Sequence, residues 1–400
     1  MYHYSLNKID PLERLYVKEV LDNGFRASKK NVFVRRLEQE FAKTFGVDYA
    51  IALANCTCAV HTALAALGVG PGDEVIVPAL TMSSPAMAVL HNNSIPVFAD
   101  VDAETFNIDA GSVRRCITPR TKAIISVALY GLPPDYDALL ALCDEFHLYL
   151  IEDNAQCING TYKGKVVGSF GHFACYSFQG SKHLTAGEGG MLITRDAQLA
   201  EKARKFSGLG FAGLTATGNT TGRGELQKPA FERHLTYGFN YKMPELCAAV
   251  ALAQMQRSSE LIRLRKQSGG LYNLIMFNCE IAKEQARTMD YENCYWTYAI
   301  QLQTTQPGKD WSRFKKLFIK NGGEAFYGAW QLTYNEPLFR NEVQHQKGVW
   351  QRYQKGLCPT AEYLQPRMIQ LKTNYLSHDE IEDQASALAL TLKQIKKSKT

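Results

Sequence analysis

Between about residues 47 and 206, short β-rich runs alternate with amphipathic helical stretches, and this rhythm leaves few architectures open. The expected strands are Tyr49 to Ala54, Glu74 to Pro78, Ile95 to Ala99, Ala123 to Val127, Leu148 to Glu152, Phe173 to Ser177 and Met191 to Thr194. The expected helices fill the gaps, over Thr57 to Leu67, Ser84 to His91, Tyr136 to Phe146 and Ala197 to Phe206. Gly70-Pro71-Gly72-Asp73 and Gly131-Leu132-Pro133-Pro134 mark turns. Strands that read as apolar runs between helices are buried on both faces. The expectation is an α/β fold with a mostly parallel seven-stranded sheet flanked by helices.

The pattern changes at Ser207. Ser207 to Gly224 is rich in glycine, threonine and serine, a loop composition, and a loop this long in a compact enzyme usually serves as a lid or a subunit contact. From Met243 to Gly269 the residues Leu246, Ala249, Val250, Ala253 and Leu261 recur at helical spacing, which predicts one long helix bridging two domains. A strand-like Cys294 to Leu302, a helical Asp310 to Asn321 and a final helix over Asp379 to Leu392 then predict a smaller C-terminal α+β domain. The expected division is a large domain over 1–260, including an N-terminal helical segment, and a small one over 261–400.

Composition removes several function classes. Four hundred residues, 46% of them hydrophobic, are ample for a large core. The formal charge of +6 is small for this length, and the basic residues are scattered apart from the tail Lys393 to Lys399, so nucleic acid is not an expected partner. Ten cysteines include no Cys-x-x-Cys, and Cys56 and Cys58 are too close together for a zinc knuckle. Single cysteines such as Cys143, Cys175 and Cys247 read as reduced core residues, with no metal expected. The first eight residues lack the apolar core of a signal peptide, and no apolar run nears the roughly 18 residues of a membrane span. A cytoplasmic protein without membrane attachment is the expectation.

The chemistry concentrates in two segments. Ser177-Phe-Gln-Gly-Ser-Lys182-His-Leu-Thr-Ala-Gly-Glu-Gly-Gly190 places Lys182 between a strand end and a glycine-rich turn, where its amine can be held in a pocket. About 30 residues upstream, the apolar run Leu148 to Ile151 delivers Glu152-Asp153-Asn154-Ala155-Gln156 to the strand end at which open α/β sheets collect ligands. A buried lysine and a buried aspartate at neighbouring strand ends suit pyridoxal 5'-phosphate: the lysine holds the aldehyde and the aspartate keeps the pyridine nitrogen protonated. Asn55-Cys56-Thr57-Cys58 lies between a strand and a helix, so the helix N-terminus and the Thr57 hydroxyl form an anion site. Taken singly, Thr57 and Asp153 also read as helix caps.

With these residues in place the chain resembles the sugar aminotransferases of the DegT/DnrJ/StrS family, fold-type I enzymes built like aspartate aminotransferase. The resemblance runs from Val17-Lys18-Glu19-Val20-Leu21-Asp22-Asn23-Gly24 through Leu67 to Val75 and Ile151 to Gln156, to Gly238-Phe239-Asn240-Tyr241-Lys242-Met243 and Cys358-Pro359-Thr360-Ala361-Glu362. It implies that Lys182 forms the Schiff base and then moves the proton, that Asp153 pairs with the pyridinium, and that Gln156 lies against the ring. Thr57, the Cys58 amide and Ser177 would hold the phosphate from one subunit, and Asn240 would reach it from the partner of a homodimer. Three positions depart from the family pattern. Cys56 stands where glycine is usual, Met82 after Thr81 where an aromatic ring stacks, and Lys242 where arginine follows Asn-Tyr. The implied activity is transfer of an amino group, from glutamate, to a keto or aldehydo carbon of a sugar, nucleotide-linked or a free sugar acid, for surface polysaccharide or antibiotic pathways. Two rivals share the fold: a sugar dehydratase, in which histidine replaces the lysine, and a non-catalytic sensor, which would have lost Lys182 or Asp153. Both residues are present.

Overall fold

The computed structural model describes residues 6–25, 33–286 and 289–397; Met1 to Ser5 and the last residues of the basic tail, Ser398 to Thr400, lie outside them. All seven expected strands join one sheet. In chain order they are β1 (Tyr49–Leu53), β2 (Glu74–Pro78), β3 (Ile95–Ala99), β4 (Thr121–Val127), β5 (Tyr149–Asp153), β6 (Phe173–Ser177) and β7 (Gly190–Thr194). Their spatial order is β1-β7-β6-β5-β4-β2-β3. The run from β6 to β3 is parallel, and β7 is antiparallel to both neighbours, so β1 again points the same way as β6. The C-terminal ends of β1, β5 and β6 therefore open on one edge of the sheet. Val75, Ile76, Val77, Ile124, Leu150, Ile151 and Leu192 are fully buried, as a sheet covered on both faces requires.

Helices α1 (Pro11–Asp22) and α2 (Phe33–Phe45) precede the sheet, and α3 (Cys56–Ala66), α4 (Ser84–His91), α5 (Ala110–Cys116), α6 (Tyr136–Phe146) and α7 (Ala197–Ser207) cover it. Side-chain caps start most of them: Asn55 accepts from the Cys58 amide, Asp109 from Gly111 and Ser112, Asp135 from Ala138, and Asp196 from Gln198 and Leu199. The short α5 was not among the expected helices; its Asp109 cap is the local signal that marks it.

The stretch 243–269 departs from the expected single helix. It is two helices, α8 (Glu245–Gln256) and α9 (Ser258–Met276), interrupted at Arg257. The cause is tertiary: the Arg257 guanidinium donates to Glu13 at 2.8 Å and to the Asn7 carbonyl at 2.9 Å, tying the junction to the N-terminal segment. The segment after Ser207 is mostly irregular as expected, with only the pair Leu214–Thr215 and Gly218–Asn219 and the short helix Arg223–Leu226 in it.

Beyond α9, strands β8 (Ala282–Glu284), β9 (Tyr298–Leu302) and β10 (Met368–Leu371) form a second sheet in the order β8-β9-β10. The expected strand from Cys294 begins only at Tyr298, because the Cys294 amide bonds to the Gly131 carbonyl instead of joining the sheet. Helices α10 (Pro307–Lys320) and α11 (His378–Lys397) pack on this sheet through a core of their own, with Phe314, Phe318, Phe326, Ile369, Leu388 and Leu392. Among the described residues no helix is long and apolar enough to cross a membrane, and no cluster of His, Cys, Asp and Glu could hold a metal.

Candidate active site

The parallel pairing of β5 and β6 puts Asp153, the last residue of β5, opposite Cys175, and the chain leaves β6 at Ser177 to enter the loop that carries Lys182. That loop is pinned at both ends, because Ser177 pairs with Gly190 at the start of β7 and Gly190 pairs with Leu53 at the end of β1. A Cβ on Gly190 would lie 2.4 Å from the Asn55 carbonyl carbon and 2.7 Å from the Cys56 nitrogen, so only glycine fits there. The lysine loop and the N-terminus of α3 are thereby brought to one place.

Between them is a cavity of about 480 Å³. It is lined by six of the residues singled out in the sequence: Thr57, Met82, Asp153, Gln156, Ser177 and Lys182. Asp153 is buried; its Oδ1 accepts from the Ala155 amide at 3.0 Å and faces the Cys56 thiol at 3.8 Å. Among the described residues no ion pair includes it. Burial raises its pKa, opposed by the Ala155 amide and the Lys182 charge. The Lys182 amine lies 4.3 Å from the centre of the Trp296 ring. Burial lowers its pKa, partly offset by Asp153 and Cys56, and a larger neutral fraction makes it a better nucleophile and base.

The anion end is made by two helix N-termini. Thr57 in the first turn of α3 and Ser84 at the start of α4 share a hydrogen bond of 2.6 Å between their hydroxyls, and both line the cavity. The Ser177 hydroxyl, also at the rim, accepts from the Gln179 amide at 3.3 Å. The Cys58 amide is engaged by the Asn55 cap at 2.9 Å, and Cys58 does not line the cavity. Gln156 uses its Oε1 to accept from the Tyr130 amide at 2.8 Å, which holds Tyr130 in a left-handed conformation. Met82 is about half exposed, and its sulfur folds back to accept from the Ser84 amide at 3.2 Å.

Asn240 lies outside the cavity. It is exposed, and its side-chain oxygen accepts from the Lys242 amine at 2.5 Å. Its neighbour Tyr241 is anchored to α3 by a 3.1 Å hydrogen bond to His61, which sits among Phe206, Phe239 and His91. Ser84, Trp296 and Trp330 are among the cavity residues that sequence reasoning did not single out. Ser84 could have been found from the Ser83-Ser84-Pro85 helix start, but Trp296 and Trp330, whose rings stack 6.1 Å apart at 24°, carry no local signal.

These groups fit a phosphate-bearing aldehyde with a basic ring nitrogen: paired hydroxyls at helix N-termini, a poised amine, and a buried carboxylate in want of a cation. Comparison with known proteins agrees. Residues 7–388 match the DegT/DnrJ/EryC1/StrS aminotransferase family. The chain is 35% identical over 295 residues to GDP-perosamine synthase of Escherichia coli O157:H7, covering 74% of this chain and 76% of that protein. It is 38% identical over 272 residues to the spore coat polysaccharide biosynthesis protein SpsC of Bacillus subtilis (strain 168), covering 67% of each. The solved structure of an aminotransferase from Psychrobacter cryohalolentis superposes with a TM-score of 0.86 at 29% identity, over 97% of this chain and 98% of the other. The chain belongs to the DegT/DnrJ/EryC1/StrS aminotransferases, enzymes of the fold-type I class that depend on pyridoxal phosphate.

Proposed function

We propose that this aminotransferase moves the amino group of glutamate onto a keto or aldehydo carbon of a nucleotide-linked sugar, for a surface polysaccharide such as lipopolysaccharide. The observation that carries the reading is the pair formed by the half-buried Lys182 amine and the buried Asp153 carboxylate on one cavity wall. The similar proteins named for GDP-perosamine and for spore coat polysaccharide support the sugar. Lys182 is present where a dehydratase would have histidine, which favours amination.

Bound pyridoxal phosphate supplies the aldehyde that takes up the amino group and a ring that stores the electron pair. Lys182 holds the cofactor and carries the proton to and from the substrate carbon. Asp153 keeps a proton on the ring nitrogen. Thr57, Ser84 and Ser177 receive the phosphate, with the first amides of α3. Gln156 shapes the ring wall through its bond to Tyr130.

We take the active enzyme to be a cytoplasmic homodimer. Lys182 is the only cation among the cavity-lining residues, yet a phosphate and a substrate carboxylate both need positive charge. Asn240 and Lys242, exposed on their own chain, are the groups a partner would supply. The division into domains 1–260 and 261–400 is supported by the core that residues such as Phe314, Ile369 and Leu388 build around the second sheet, while Leu332, Tyr334, Phe339 and Leu364 pack into the core of the large sheet.

The test is a panel of nucleotide-linked and free keto-sugars incubated with the cofactor-loaded enzyme and glutamate labelled with ¹⁵N at its amino nitrogen. Label in a nucleotide-linked amino sugar is the expected result. Transfer only to free sugar acids, or only to non-sugar carbonyls, overturns the substrate assignment.

A further inference from the structure

The backbone around Lys182 is held by groups that come from far along the chain. Arg265, on α9, donates from Nη2 to the carbonyl oxygens of Ser181 at 3.1 Å and Lys182 at 3.0 Å. From Nη1 it donates to the Trp296 carbonyl at 2.7 Å and the Thr373 hydroxyl at 3.4 Å. The Trp296 indole nitrogen adds a bond to the Ser181 carbonyl at 3.1 Å, and the Lys8 amine one to the Gly180 carbonyl at 2.6 Å. Three consecutive carbonyls of the lysine loop thus end on donors from residues 8, 265 and 296.

Arg265 is itself 5% exposed. Buried guanidinium groups are normally paired with a carboxylate. Among the described residues no ion pair includes Arg265, and all four of its acceptors are neutral oxygens. Burial lowers its pKa to about 10, which leaves it charged at neutral pH. Its charge therefore sits next to the lysine loop without a carboxylate partner among the described residues, and the Cys294 sulfur is the one titratable group that favours it.

We infer that Arg265 is a positioning residue for the reactive lysine: its planar fork locks the Ser181–Lys182 backbone to the Trp296 wall and brings a positive charge with no carboxylate partner close enough to act on the amine. The inference rests on Lys182 being the reactive lysine of the proposed function. The two arms of the fork have separate tasks. The Nη2 arm fixes where the lysine side chain starts, and the Nη1 arm fixes Trp296, whose ring lies 4.3 Å from where that side chain ends. One rigid group thus sets both ends of the lysine. A lysine at 265 would keep the charge and lose the fork.

The titratable groups that face the Lys182 amine are Asp153 from β5, Cys56 from α3, Glu188 from its own loop and Arg265 from α9. Asp153, Cys56 and Glu188 favour the protonated amine, whereas burial and Arg265 oppose it. Removing the Arg265 charge shifts the balance toward the proton.

The experiment uses the full chain loaded with pyridoxal phosphate. Borohydride reduction and peptide mapping first locate the lysine that carries the cofactor. The pH midpoint of the visible absorption change and the rate of amino transfer from glutamate are then measured for the wild type, Arg265→Met and Arg265→Lys. Arg265→Met should raise the midpoint by about half a pH unit or more. Arg265→Lys should leave the midpoint within a few tenths and yet slow the transfer about tenfold or more, because the lysine is no longer held at both ends. An unmoved midpoint in a folded Arg265→Met protein overturns the inference. If that variant does not fold, Arg265→Lys decides alone, and transfer at the wild-type rate overturns it. Label on a lysine other than Lys182 overturns the proposed function itself, whatever the Arg265 variants do.

Discussion

The floor of the site and the Asn240 segment are built in opposite ways. On the floor every singled-out side chain except Lys182 finds a hydrogen-bond partner within its own chain, as Asp153 does with Ala155 and Cys56, Gln156 with Tyr130, and Thr57 with Ser84. The segment from Leu209 to Asn240 instead turns Leu209, Leu235 and Tyr237 to the surface along with Asn240. It is joined to the rest by backbone hydrogen bonds, among them the Phe239 amide to the Phe206 carbonyl at 2.6 Å, and by the aromatic contact of Phe239 with His61, which also packs on Phe206 and Tyr241. A floor so completed within one chain does its chemistry there. A segment that leaves apolar and amide groups at the surface is where the proposed partner subunit would dock.

The sharpest break of the comparison is at Lys182. Lys182→Ala should lower transamination by more than about a thousandfold with the fold intact by circular dichroism, since the proton carrier is gone; turnover near the wild-type rate would remove Lys182 from the chemistry. Asp153→Asn comes next, with an expected loss on the order of a hundredfold at nearly full cofactor occupancy, because an amide cannot hold the ring proton. A loss of only a few-fold, with occupancy measured after ultrafiltration, would make Asp153 a structural cap.

The other half of the comparison is tested by subunit exchange. In a mixture of Lys182→Ala and Asn240→Asp chains, a mixed dimer has one site with both lesions and one intact. With equal amounts and free exchange, about a quarter of wild-type activity should return. Exchange demonstrated by mass labelling without recovered activity would show that Asn240 serves its own chain.

Acid should loosen the link between the two halves. Burial first, and then His91, hold the His61 pKa down to about 4, against an ordinary value of 6.5. The unfolded chain then binds the proton more readily than the folded one, so the stability that neutral His61 contributes is complete above about 6.5 and is lost as pH falls toward 4. Urea midpoints measured across that window should fall less steeply for His61→Gln, and equal slopes would sink the claim. The smallest effect is expected at Met82: Met82→Phe should shift the cofactor's visible band, and an unchanged spectrum would place that side chain off the ring.

How much of this was legible depends on distance along the chain. The seven strands were, because each is a short apolar run between turn residues, and so was the Asp153 and Lys182 pairing, because parallel neighbours bring their ends to one edge. The break at Arg257 was not, since its partner Glu13 lies 244 residues away and helical spacing carries no trace of it. Trp296 and Trp330 were missed for a similar reason: both reach the cavity from the C-terminal part of the fold. The Cys58 amide was assigned to an anion and is already taken by Asn55, a competition that two neighbouring residues settle between themselves.

Gly190, read in the sequence as the end of a turn, is the first residue of β7 and has no contact with the chemistry of its own. Yet its missing side chain sets the gap between the strand that returns from Lys182 and the backbone of Asn55 and Cys56. It acts as a gauge block: the separation of the lysine loop from the N-terminus of α3 is held by an atom that is not there. A methyl group at 190 would push the two ends apart by an ångström or so, roughly the scale at which aligned reacting groups lose their advantage. The tolerance of the whole site is thus written at a position that does not line the cavity.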